Sequence, residues 1–87
     1  GIETNNSRFE VYPNPVQDIF YIRLADKDTG LFNITITDLM GRVVVQDSRY
    51  AQNQELDFNV SGLIDGVYNI AITTDGELIH TTKIVKN

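Results

Sequence analysis

Hydrophobic and polar residues alternate with a period of two along most of this chain. Phe9 and Val11 open the pattern, and Phe20, Ile22 and Leu24 then alternate with Ile19, Tyr21 and Arg23. Phe32, Ile34 and Ile36 alternate with Asn33, Thr35 and Thr37, and Leu56, Phe58 and Val60 with Asp57 and Asn59. Tyr68, Ile70 and Ile72 line one face of a further run, and Leu78 to Lys86 keeps strand-like residues almost to the last position. Successive side chains of a strand point to opposite faces, so this pattern predicts half-buried strands; helical spacing does not recur. Val43-Val44-Val45 is β-branched and favours a strand too. Turn chemistry separates the runs. It lies at Tyr12-Pro13-Asn14-Pro15, at Asp26 to Gly30, at Asp38 to Gly41, in a polar loop from Tyr50 to Gln54, at Ser61 to Gly66 and at Asp75-Gly76. The expected strands span 8–12, 18–25, 31–37, 42–48, 54–60, 67–73 and 77–86.

Seven short strands predict an all-β fold, a seven-stranded antiparallel immunoglobulin-like β-sandwich, because a single sheet would leave one apolar face in water. The expected inward set is Phe20, Ile22, Leu24, Phe32, Ile34, Ile36, Val44, Phe58, Val60, Tyr68, Ile70 and Ile72. Residues 1–8 are polar and aperiodic and read as a linker; 9–87 form the domain.

Composition narrows the chemistry. Eighty-seven residues allow one small domain with a thin core. Cysteine is absent, so no disulfide or thiolate is available, and the single histidine, His80, excludes a multi-histidine metal site. Seven Lys and Arg against 12 Asp and Glu give a net charge of −5, which repels phosphate backbones and anionic lipid. No apolar stretch is long enough to span a bilayer, so neither nucleic-acid binding nor membrane insertion is expected.

Candidate sites are sparse. Asp26-x-Asp28-x-Gly30 resembles the opening of a calcium loop, yet it lacks the later glutamate, where Ile36 stands; a turn with self-capping aspartates explains it better. No serine near a G-x-S-x-G turn accompanies His80. Tyr21 and Tyr50 are the aromatics left over for a sugar platform, on separate elements. The sequons at Asn5, Asn33 and Asn59 are what Asn-, Ser- and Thr-rich strands yield by chance. These features predict no enzyme activity and no cofactor.

The motifs also fall in a recognisable order. Val11-Tyr12-Pro13-Asn14-Pro15-Val16 precedes Asp18, Phe20 and Ile22; Ile36-Thr37-Asp38-Leu39-Met40-Gly41-Arg42-Val43-Val44 follows. Then come Phe58-Asn59-Val60-Ser61-Gly62-Leu63-Ile64-Asp65-Gly66-Val67-Tyr68 and the closing Lys83-Ile84-Val85-Lys86. Together they resemble the C-terminal sorting domain of type IX (Por) secretion substrates, type A, from Phe9 to Asn87. Asn59 departs from the aspartate common in that family, and Met40 fills a variable position.

Each motif has a local reason. The prolines at Pro13 and Pro15 end a strand, and Asn14 sits between them in the turn. Asp38 is expected to bond its own turn, with Gly41 left-handed and Arg42 paired to Asp38. Gly66 opens the next strand tightly, and the Tyr68 ring fills the core while its hydroxyl finds a partner.

The resemblance implies a non-catalytic signal at the end of a larger cargo protein of a Gram-negative bacterium. Such a precursor passes through the periplasm, and the outer-membrane type IX translocation machinery recognises the folded domain. A surface sortase usually cleaves before the domain, and the cargo reaches the cell surface or is secreted. Residues 1–8 then join the domain to its upstream cargo. The expected recognition residues are Lys83, Val85 and Lys86, on a terminal edge strand that offers backbone groups and positive charge. The alternative is an immunoglobulin-like adhesion or carbohydrate-binding module.

Overall fold

Residues 9–24, 29–52 and 55–87 are described by the computed structural model. Seven strands form among them: β1 Phe9–Tyr12, β2 Ile19–Leu24, β3 Thr29–Thr37, β4 Val43–Gln52, β5 Glu55–Asn59, β6 Gly66–Thr74 and β7 Glu77–Lys86. They make two antiparallel sheets, one ordered β1-β2-β5 and the other β4-β3-β6-β7. The all-β sandwich read from the alternation is the fold.

Packing follows the pleat. Phe20, Ile22, Ile34, Ile36, Ile70 and Ile72 are fully buried between the sheets. Phe20 stacks on Phe58, ring centroids 5.3 Å apart, and Phe9 meets Phe32 edge-on at 6.2 Å. Burying each such ring contributes about 1.5–3 kcal/mol, the main term holding the sheets together. Arg49 of β4 closes one open side of the sandwich: its Nη2 donates to the Asp57 carbonyl on β5 at 3.0 Å, and its guanidinium lies over the Phe58 ring.

The alternation misplaces some details. Val44 is 38% exposed rather than inward, because the β3–β4 register sets Val45 beside the inward Ile36 and the next residue along a strand faces the other way. Ile36 pairs with Val45, which packs against the core; beyond it a one-residue bulge at Val44 sets Val43 opposite Thr37, so that Val43 is exposed as well. Gly30, expected in a turn, lies in β3 opposite Ala51. Tyr50 to Gln52, expected in a loop, continue β4, and Ala51 is buried. Phe9, Val16, Leu56 and Ile84 also join the core. Asp26 and Asp28, the linker 1–8 and the sequon at Asn5 lie outside the described residues.

The pairing gives the sandwich two distinct ends. Phe9 pairs with Leu24, while Tyr12 pairs with Tyr21 and Ile19 with Asn59. In the other sheet Thr37 lies beside Asn69, and Gly66 beside Lys86. The chain therefore enters β1 at one end. The connections at 13–18, 38–42 and 60–65, with the last residues, gather at the other.

Candidate recognition surface

All four sequence motifs meet at that second end. The first is Tyr12-Pro13-Asn14-Pro15, whose two X–Pro peptide bonds are both cis. It delivers Asn14 and Val16 to the outer edge of β7. Asn14 Oδ1 accepts the Val85 N–H at 2.9 Å, and its Nδ2 donates to the Lys83 carbonyl at 3.2 Å. The Val16 N–H donates to the Val85 carbonyl at 2.7 Å, and the Asn87 N–H to the Val16 carbonyl at 2.9 Å. Val16 and Lys86 thus form a short parallel bridge. The edge of β7 was expected to offer its backbone over Lys83 to Lys86; residues 14 and 16 occupy it instead.

This geometry separates the three expected recognition residues. Lys83 is exposed, and Val85 is half-buried on the same outer face. Lys86 is buried, 8% exposed, because it shares the inward face with Ile84 two residues before. Its ammonium reaches the Asp65 carboxylate at 3.6 Å. A lysine stem is apolar enough to lie inside while its head finds an acid at the rim.

The second motif makes a turn built around one carboxylate. Asp38 Oδ1 accepts the N–H groups of Met40 and Arg42 at 2.9 and 3.0 Å, and Oδ2 accepts the Arg42 Nε–H at 2.9 Å. The backbone closes it as well, with Gly41 N–H to the Asp38 carbonyl at 3.0 Å. Gly41 sits at φ 86°, where a side chain is strained. The Arg42 backbone N–H, followed by its side chain and the Met40 N–H, holds the Asp38 carboxyl below its ordinary pKa against some desolvation.

The third motif faces the second. Asn59 Oδ1 accepts from the Ser61 N–H at 2.9 Å and from its hydroxyl at 2.7 Å, a turn that starts the connection to β6. The buried Tyr68 ring anchors its far side, the hydroxyl donating to the Ile64 carbonyl. Between the two connections runs an open groove of about 460 Å³, bordered by Leu39, Met40, Arg42, Ile64 and Asp65. Met40 and Ile64 are 81% and 83% exposed, unusual for apolar side chains in an acidic domain.

The sugar-platform residues are not brought together. Tyr21 lies on β2 and packs on Tyr12, centroids 5.6 Å apart, with Arg23 over the Tyr12 ring; Tyr50 is on β4 in the other sheet. Among the described residues no cluster of three or more His, Cys, Asp or Glu side chains is placed to hold a metal ion. None of their elements is a helix long and apolar enough to cross a membrane.

The described residues define a small all-β sandwich domain whose four sequence motifs build one end. The family model for the secretion system C-terminal sorting domain matches residues 10–87, and the chain is a member of that family. It is a C-terminal sorting signal for type IX secretion, a route of export to the cell surface or beyond. A search of curated proteins finds no match.

Proposed function

We propose that this domain is read, as a folded unit, by the type IX outer-membrane translocation machinery through the end where its motifs converge. The observation that carries the reading is that convergence. Of the four sequence motifs, spread from residue 12 to residue 86, three are joined by the Asn14–Val85 and Lys86–Asp65 contacts, and the Asp38–Arg42 turn borders the same groove as Ile64 and Asp65. Lys83 and Val85 present side chains on its flank, and Lys86 holds the connection at Asp65 in place.

The domain acts as passenger and signal, not as catalyst. Residues 1–8 join it to an upstream cargo, which crosses the periplasm before surface delivery; a surface sortase cuts the precursor ahead of Phe9. Phe9 opens β1 at the end away from the motifs, so the start of the domain and its motif end lie apart.

The test is a fluorescent reporter with a periplasmic targeting signal, fused to residues 1–87 in a type IX-competent host. Fractionation should find the reporter at the surface or in the medium, and a deletion of Lys83 to Asn87 should strand it in the periplasm. Equal delivery of both fusions would refute the reading.

A further inference from the structure

The three described arginines are used differently. Arg23 spends Nη1 on Glu10 at 3.1 Å and Nη2 on the Tyr12 hydroxyl at 3.4 Å, with Nε 3.7 Å from Glu55. Arg49 spends Nε on Asp47 and Nη2 on the Asp57 carbonyl. Arg42 gives only Nε, to Asp38, and its terminal Nη1 and Nη2 have no hydrogen-bond partner among the described residues. Its side chain is 75% exposed, yet its direction is set by a carboxylate that two backbone N–H groups already fix.

Resting on the sorting reading above, we propose that the Asp38–Arg42 turn presents a preset guanidinium to a carboxylate on the translocation machinery, in a patch where apolar side chains of both proteins meet. With Nε held by Asp38, the two Nη groups remain free, the fork that recognises a carboxylate through parallel hydrogen bonds. Leu39, Met40 and Ile64 stand around it and exclude water once covered, which strengthens the pair. The two acids of the groove, Asp38 and Asp65, are engaged by Arg42 Nε and by Lys86, so what stays on offer there is the pair of Arg42 Nη donors. The occupant is an acidic protein side chain rather than an anionic membrane, because a domain of net charge −5 is repelled by a sheet of like charge but not by one carboxylate.

Substitutions R42K, R42Q and R42E in the reporter fusion test this, each first melted as the purified domain. R42K and R42Q should melt close to the parent, since the Arg42 side chain is exposed and both backbone N–H bonds to Asp38 remain, whereas R42E sets a second carboxylate beside Asp38 and should melt lower. Delivery should fall about tenfold or more for R42E, with R42Q low and R42K intermediate, as lysine keeps charge without the fork. Suppressors of R42E selected for restored delivery should exchange an Asp or Glu of the machinery for Lys or Arg. Parental delivery of both R42E and R42Q overturns the proposal while the parent fusion upholds the sorting reading. Failure of the parent fusion itself removes both. Suppressors confined to this domain, or Arg42-dependent binding of the purified domain to phosphatidylglycerol vesicles, also overturn it, the latter in favour of a membrane partner. Should R42E fail to fold, R42Q decides.

Discussion

Asn14 stands in for a strand residue beside Val85: one amide accepts the Val85 N–H at 2.9 Å and donates to the Lys83 carbonyl two residues away at 3.2 Å. Replacing Asn14 by Ala removes both bonds and uncovers the edge of β7. The cost should be about 1–2 kcal/mol, with a melting temperature lower by at least ~4 °C for a domain this size. Amide exchange at Val85 should accelerate more than at Ile70 in the core. An unchanged melt with unchanged exchange would show the contact to be idle.

Tyr68 separates ring from hydroxyl. Tyr68→Phe loses only the bond to the Ile64 carbonyl and should cost about 1 kcal/mol, whereas Tyr68→Ala should cost about 3–5 kcal/mol through the lost ring. Urea midpoints of the two variants measure the split; equal losses would contradict it.

The pairing of Val45 with inward-facing Ile36 makes adjacent valines unequal. Val44→Asp places a charge on the exposed side and should shift stability by less than about 1 kcal/mol. Val45→Asp puts it against the core and should cost several-fold more, on the order of 2–4 kcal/mol. Similar thermal shifts for both would mean that the register is wrong.

The two lysines of the last strand should behave differently. Lys83→Ala leaves the melt near the parent's, within about 0.5 kcal/mol. Lys86→Ala removes a buried stem and the ion pair to Asp65, and calorimetry should show a clear loss, about 1–2 kcal/mol. Paired delivery assays of these two variants therefore mean different things: only the Lys83 result reports on surface charge with the fold intact.

His80 links stability to pH. Its ring lies 5.5 Å from that of Phe9, and burial lowers its pKa from the ordinary 6.5. The unfolded chain then binds the proton more readily than the folded one. The contribution of neutral His80 is complete above the unfolded value and is lost as pH falls through the lower folded one. Urea unfolding at pH ~7.5 and ~5 should show a smaller acid loss for His80→Leu than for the parent. An identical acid loss in the two would exclude His80 as a source.

The strand alternation was legible because burial against one opposing sheet imposes it residue by residue, as at Ile34, Ile36, Ile70 and Ile72. Features that depend on another strand were not. Val44 looked inward because nothing local to Val43-Val44-Val45 says which of the three lies opposite Ile36. Lys86 looked exposed because of its charge, although its spacing from Ile84 already placed it inward. Asn14 was legible as part of a turn. Its second task, closing a strand about 70 residues later in the chain, depends on tertiary placement that proline geometry alone does not encode. For the candidate site, the turn of Asp38, Gly41 and Arg42 followed from residue type, but the groove it shares with Ile64 required the β3–β6 pairing.

The contacts between residues 14–16 and 83–87 carry a consequence for biosynthesis. A ribosome that stops short of Lys83 yields a chain missing both partners of the Asn14 amide and both partners of the Val16 backbone. Its earlier strands retain their alternating faces, but the motif end is left unsealed. The motif end is thus a late seal: residues 14 and 16 find their partners only after the chain has been made through residue 87.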